Sequence, residues 1–227
     1  MLGFNISGPT PGKPFPGRPQ DPLMNLPFDQ WWFHGFLEYP PHPDDIFQFA
    51  VGEKTMTQLS CDKDATTWWP SGPGGDQQST TEPDSPCPGA PLAEYHTNGI
   101  NDLGGCAMAV AYKSDFNDVQ PEDFVVFSVN QTCVWNLHTY FETPADMPPC
   151  PNNKCICSWF WMHQPDSGSE QSLFFCRLGK MRLTNGRIVY MNGFQCNFTN
   201  AVSNKKLGVP QVSRRYVSVV MVLCSRS

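Results

Sequence analysis

Five histidines are the first places to look for chemistry: His34, His42, His96, His138 and His163. None lies in an HExxH pattern, which excludes the helix-borne zinc pair of a metalloprotease. No GxSxG elbow occurs, and no Cys–His pairing stands out once the cysteines are assigned to disulfides. Glu94, Asp102, Glu122 and Asp123 are carboxylates of the kind a glycosidase pairs, but nothing in their spacing selects two of them. His96 sits in EYHTNGINDLGGC, residues 94–106, among glycine, asparagine and threonine, which favour turns. Spacing alone gives it no special status. A loop histidine is either an ordinary polar side chain or a ligand held out for something.

The rest of the chain limits what that something is. Its 227 residues carry a net charge of -6 and no basic stripe, which argues against nucleic acid as a partner. Ten cysteines are spread through the sequence without paired CxxC units at zinc spacing, so they read as disulfides formed in an oxidising compartment. Three sequons agree with that reading: Asn5-Ile6-Ser7, Asn130-Gln131-Thr132 and Asn197-Phe198-Thr199. Together they predict a secreted, extracellular glycoprotein. The opening MLGFNISGPT has neither a charged n-region nor an apolar h-region, so a signal peptide is expected to lie upstream, lost from this chain. No apolar run approaches the ~20 residues that span a membrane, so no membrane partner is expected.

The elements that must position any site are strands. Abundant proline (23) and glycine (18), with 16 phenylalanines and 7 tryptophans, favour a mainly β, loop-rich fold over a helical bundle. Residues 1–30 are Pro-rich and extended, and QWWFHGFLEY at 30–39 carries strand-forming aromatics. The span 70–92 reads as a long loop anchored by Cys87. Strands are predicted at 106–113, 123–130, 133–141 and 155–163. In the last, Ile156, Ser158, Phe160 and Met162 face one way, and Cys157, Trp159, Trp161 and His163 the other. Short strands, turn signals and disulfides together predict an antiparallel β-sandwich with long disulfide-pinned loops. One member of each tryptophan pair, Trp31-Trp32 and Trp68-Trp69, is expected to pack inside.

Several long blocks carry a specific resemblance: FDQWWFHGFLEYPP (28–41), SCDKDAT (60–66), EYHTNGINDLGGCA (94–107), YKSDFNDVQPEDFVVFSVNQTCVWN (112–136), CICSWFWMHQPDSGSEQ (155–171) and YMNGFQCN (190–197). With gaps, residues 2–215 resemble the family-fourteen auxiliary-activity lytic polysaccharide monooxygenases, secreted fungal copper enzymes. The resemblance implies an immunoglobulin-like sandwich and one copper ion in a histidine brace. There an N-terminal histidine gives two nitrogens, a second histidine the third, and a tyrosine sits on the axis. Three nitrogen donors suit Cu(II) and leave a position open for oxygen or peroxide. Carried over by position, the second histidine matches His96 and the axial tyrosine Tyr190; by analogy with related monooxygenases, His163 and Gln171 hydrogen-bond the oxidant. The implied function is oxidative cleavage of xylan bound to cellulose, by a monomer supplied by an electron donor. A carbohydrate- or copper-binding sandwich without turnover is the alternative.

Three departures from the family pattern qualify this. The brace's N-terminal histidine would lie upstream of Met1, so the chain as written is expected to hold an incomplete, inactive site. The family places its glutamine and tyrosine two positions apart, whereas 18 residues separate Gln171 from Tyr190. The intervening segment, 172–189, is therefore expected to be an atypical insert of the size of a short intron read as coding sequence. The tail 216–227 departs from the family in the same way. The expected organisation is one domain, 1–215, followed by that tail. Setting aside insert and tail removes Cys176 and Cys224, leaving eight cysteines for up to four disulfides of open connectivity.

Overall fold

Alternation of side chains builds the central sheet. In the computed structural model, which describes residues 32, 37, 40–61, 65–67, 76–162, 174–177, 180–183 and 189–205, nine strands form. They are β1 (Ile46–Ala50), β2 (Lys54–Gln58), β3 (Cys106–Ala111), β4 (Val125–Asn130), β5 (His138–Glu142), β6 (Cys155–Met162), β7 (Phe174–Arg177), β8 (Lys180–Leu183) and β9 (Val189–Thr199). Five of them make one sheet in the order β1-β9-β6-β3-β4, while β2 pairs with β5 and β7 with β8.

β6 lies at the centre of the large sheet and is covered on both faces. Cys155, Cys157 and Trp161 point into a core shared with Met108 and Val110 of β3, Phe194 and Phe198 of β9, Phe49 of β1 and Phe141 of β5. Phe141 places the β2–β5 pair over this face as the second layer of a sandwich. Ile156 and Phe160 point the other way, with Ala109, Ala111 and Met191, and meet Trp32, Phe116, Val119 and Phe124 from loops. Trp32 is only 2% exposed, stands edge-on to Phe124 at 5.2 Å, and donates its indole N–H to the Phe116 carbonyl at 3.1 Å. Burying a side chain of that size stabilises by roughly 2–3 kcal/mol, provided its N–H finds an acceptor.

The mainly β sandwich and the facing of β6 agree with the sequence reading, and several details differ. The sheet is antiparallel except at its edge, where β1 runs parallel to β9, Ile46 facing Gln195. The strand expected over 133–141 starts only at His138. Asn130 Oδ1 accepts the N–H groups of Thr132 and Cys133, and the Trp135 N–H donates to the Thr132 carbonyl, so the chain turns here. The strand expected from 123 starts at Val125, because Asp123 accepts the Gln120 N–H at 2.8 Å and holds a tight turn. Within the aromatic stretch 30–39, Trp32 and Leu37 lie outside any strand, since Trp32 serves to cover the sheet rather than extend it. Inside 172–189, β7 and β8 pair as an antiparallel hairpin, Phe174 facing Leu183.

Four disulfides use the eight cysteines that remain without Cys176 and Cys224. They join Cys61–Cys87, Cys106–Cys133, Cys150–Cys155 and Cys157–Cys196, each cysteine with its neighbour in that series. The closed loops therefore follow one another without overlap. Cys61–Cys87 holds the long loop to the end of β2, and Cys106–Cys133 holds the start of β3 to the turn after β4.

Candidate functional site

The loop after Cys87 carries His96 to the end of the large sheet. Residues Leu92–Tyr95 form one 3-10 turn, and His96 closes it with φ 46° and ψ 44°, donating its N–H to the Ala93 carbonyl at 3.0 Å. A single residue in the left-handed region reverses the chain and re-aims the next side chain, a conformation histidine adopts more readily than most. Both neighbours of His96 are fixed. The Tyr95 ring packs 5.6 Å from Trp135, and its hydroxyl lies 3.4 Å from Ser85 Oγ. Thr97 is buried, donates its hydroxyl to the Gly99 carbonyl at 2.7 Å and accepts the Gly99 N–H. Asn98 donates from Nδ2 to Asp102 at 2.8 Å, which holds the loop beyond.

Tyr190 arrives from the opposite direction, near the start of β9. Register places it opposite Trp161 of β6, and Trp161 opposite Cys106 of β3, so the three share one row and one face. The Tyr190 and Trp161 rings stack at 5.0 Å with 24° between their planes. His96 stands edge-on to Trp161 at 5.4 Å, and its Nε2 lies 3.2 Å from the Tyr190 hydroxyl. With the proton on Nδ1, the phenol O–H donates to Nε2. The Cys106–Cys133 disulfide continues the row, and Trp135, two residues further on, supports Tyr95. Sheet and loop thus grip His96 through one closed circuit of contacts.

The structure therefore brings together His96 and Tyr190, two of the four candidates; His163 and Gln171 lie outside the described residues. The other described histidines are engaged elsewhere. His42 Nδ1 accepts the Asp44 N–H at 3.3 Å. His138 meets Asp84 Oδ1 at 2.7 Å through Nδ1 and Gln58 at 3.1 Å through Nε2. Partial burial works to raise the Asp84 pKa, but hydrogen bonds from Asn136 and from the His138 backbone and ring outweigh it and hold the carboxyl below its ordinary value. Asp102 accepts the Asn98 N–H at 3.3 Å and Asp123 the Gln120 N–H at 2.8 Å, so both hold loop backbone. Sequence reasoning missed the part played by Trp161, Tyr95 and Trp135. Only the alternation of β6 hinted at it, by setting Trp161 on the face that Tyr190 shares.

Chemically, the site offers one imidazole nitrogen and one phenol oxygen aimed at each other. Among the described residues no three His, Cys, Asp or Glu side chains gather closely enough to hold a metal.

Comparison with known proteins identifies the relatives. The family profile described as lytic polysaccharide monooxygenase AA14 matches residues 1–219. The AA14 family lytic polysaccharide monooxygenase B of Trametes coccinea (strain BRFM310) is 49% identical over 215 residues, covering 95% of this chain and 46% of the relative. The corresponding B enzyme of Pycnoporus cinnabarinus is 48% identical, covering 95% of this chain and 52% of its own length. The A enzyme of Trametes coccinea is 50% identical, with 95% and 45% covered. The chain spans about half the length of these curated relatives. With a profile match along nearly the whole chain and about half of its residues shared with these enzymes, the chain belongs to the lytic polysaccharide monooxygenase AA14 family.

Proposed function

We propose that this protein cleaves glycosidic bonds of recalcitrant polysaccharide oxidatively, with xylan associated with cellulose as substrate and one copper ion at His96. The observation that carries the reading is the approach of Tyr190 to His96 Nε2, at 3.2 Å, in a chain of this family. The donor chemistry fits in part. Imidazole suits copper, and the Tyr190 phenol oxygen beside it would be a further, weaker oxygen neighbour of a bound ion. The further nitrogen donors that copper needs come, on this reading, from outside the described residues, and a chain without them is expected to be inactive.

Copper, when bound, supplies the one-electron chemistry that turns oxygen or peroxide against a sugar C–H bond. The chain's own side chains do the rest. His96 would bind the ion through Nε2, whose lone pair the Tyr190 hydroxyl would then have to release. Tyr190 keeps water from that side of the site, and its stack on Trp161 fixes its ring. His163 and Gln171 are the polar groups we assign to the oxidant. Leu92 (47% exposed) and Ile100 (45% exposed) lie four residues to either side of His96 and offer apolar contact to the C–H face of a sugar chain. We place the protein outside the cell as a monomer with an external electron donor. Four disulfides support that compartment, and among the described residues no helix is long and apolar enough to cross a membrane.

The test combines copper titration and electron paramagnetic resonance with product analysis on xylan-coated cellulose in the presence of a reductant. Oxidised oligosaccharides that disappear in His96→Ala, together with the copper signal, are expected. A copper signal that persists in His96→Ala overturns the site. A wild-type signal with no oxidised product makes the protein a binder instead.

A further inference from the structure

The outer face of the β2–β5 pair carries exposed apolar surface that the His96 site does not use. Thr57, Thr139 and Phe141 are buried on the inner face, so Met56 and Tyr140, which face each other across the pair, point outward. They are 46% and 53% exposed. Lys54 opposite Glu142 and Gln58 opposite His138 flank them with polar groups.

At the free edge of β5 stands Asn130, the first residue of Asn130-Gln131-Thr132. Its Oδ1 accepts the Thr132 N–H at 2.9 Å, the Thr132 hydroxyl at 3.0 Å and the Cys133 N–H at 3.0 Å. Its Nδ2 donates to the backbone carbonyl of Tyr140 at 3.1 Å. The amide plane is thus fixed, with its nitrogen beside Tyr140. Gln131 and Thr132 are exposed, so the approach to Asn130 is open to solvent.

We propose that Asn130 carries an N-linked oligosaccharide whose first sugar packs over Tyr140 and Met56. In the secretory compartment, Nδ2 attacks C1 of a sugar carried on a polyprenyl diphosphate. The C1–N bond forms and the C1–O bond to diphosphate breaks. The diphosphate leaves with the electron pair, and the amide nitrogen gives up one proton. The glycosylated amide keeps one N–H, which the Tyr140 carbonyl accepts in the folded protein. The apolar C–H face of the sugar then finds an aromatic and a thioether side chain, and its hydroxyls find the polar flanks. Asn197 offers a different setting, since it lies within β9 and its Nδ2 donates to Gln48 of β1 at 3.2 Å.

The inference rests on the extracellular placement proposed above, which is tested separately by the presence of the protein in the culture filtrate of its source organism. For the inference itself, the full chain is directed through a yeast secretory pathway, and its glycopeptides are read by mass spectrometry after endoglycosidase trimming. A retained N-acetylhexosamine on Asn130 is expected, and Asn130→Gln loses one glycan. Occupancy of Asn5 or Asn197 with Asn130 bare overturns the inference, as does a chain bare at every sequon. Tyr140→Ala is then compared in protein made with and without a glycosylation inhibitor. A larger fall in Tm in the glycosylated form is expected, and equal falls overturn the seating on Tyr140.

Discussion

The Tyr190 hydroxyl stands 3.2 Å from His96 Nε2 although 94 residues separate them in sequence. Tyr190→Phe keeps the ring stacked on Trp161 and removes only the oxygen. The net loss of one hydrogen bond is about 1 kcal/mol, so folding is nearly unaffected. If the phenol neighbours the metal, Cu(II) affinity falls about 10- to 100-fold, the range typical for groups that orient a metal ligand, and the copper resonance shifts. Titration calorimetry and paramagnetic resonance on the two proteins check this. Identical affinity and spectrum would remove Tyr190 from the site.

Trp161 supports both site residues, and it is 8% exposed between a disulfide row and the Tyr190 ring. Trp161→Ala is expected to cost about 3–5 kcal/mol in urea denaturation, the range for deleting a large aromatic from a core. Trp161→Phe retains a ring under Tyr190 and is expected to cost roughly half as much. A loss below 1 kcal/mol for the alanine variant would mean that the pocket collapses around the gap.

What could be read from the sequence follows from the range of the interactions concerned. The facing of Cys157, Trp159 and Trp161 on β6 is set by a two-residue period and was visible in the sequence. β1 was not, because its five residues earn their place by running parallel to β9, which lies some 150 positions away. The turn at 131–137 overrides strand-forming Val134 and Trp135 through one side chain, Asn130 Oδ1, and propensity does not register such a bond. His96 and Tyr190 were matched through resemblance, but their convergence depends on the strand register and on a left-handed residue, neither of which is local in sequence. The hydrogen-bonded cluster of Asp84, His138 and Gln58 gave no signal at all, since its members come from three separate elements.

That cluster makes stability depend on pH in a definite direction. Asp84 has its pKa lowered in the folded protein, so its contribution is fully present above the unfolded carboxylate value of about 3.9 and is lost as pH falls through the lower folded value. Asp84→Asn is therefore expected to lower stability at neutral pH by ~0.5–1 kcal/mol, a modest figure because Asp84 is partly exposed and solvent screens it. The gap between wild type and variant closes below about pH 4. Denaturation at pH 7 and pH 3 measures it. A gap that stays constant across that range would show that Asp84 acts only as a neutral hydrogen-bond acceptor.

Because the four disulfide loops do not overlap, their effects on the unfolded chain are separable. The Cys157–Cys196 bridge spans 39 residues and Cys150–Cys155 only 5. In the chain-entropy account, closing those loops stabilises by about 4 and about 2 kcal/mol respectively. All four cysteines are buried, so replacing each pair by alanine also leaves small gaps of similar size. The difference between the two double variants should then stay close to ~2 kcal/mol, with Cys157→Ala/Cys196→Ala the less stable. β6 and β9 remain hydrogen-bonded along their length in either case, so the variant is expected to fold. Guanidinium denaturation of both double variants decides the order. Equal losses would show that the bridges act through native packing rather than through the entropy of the unfolded chain.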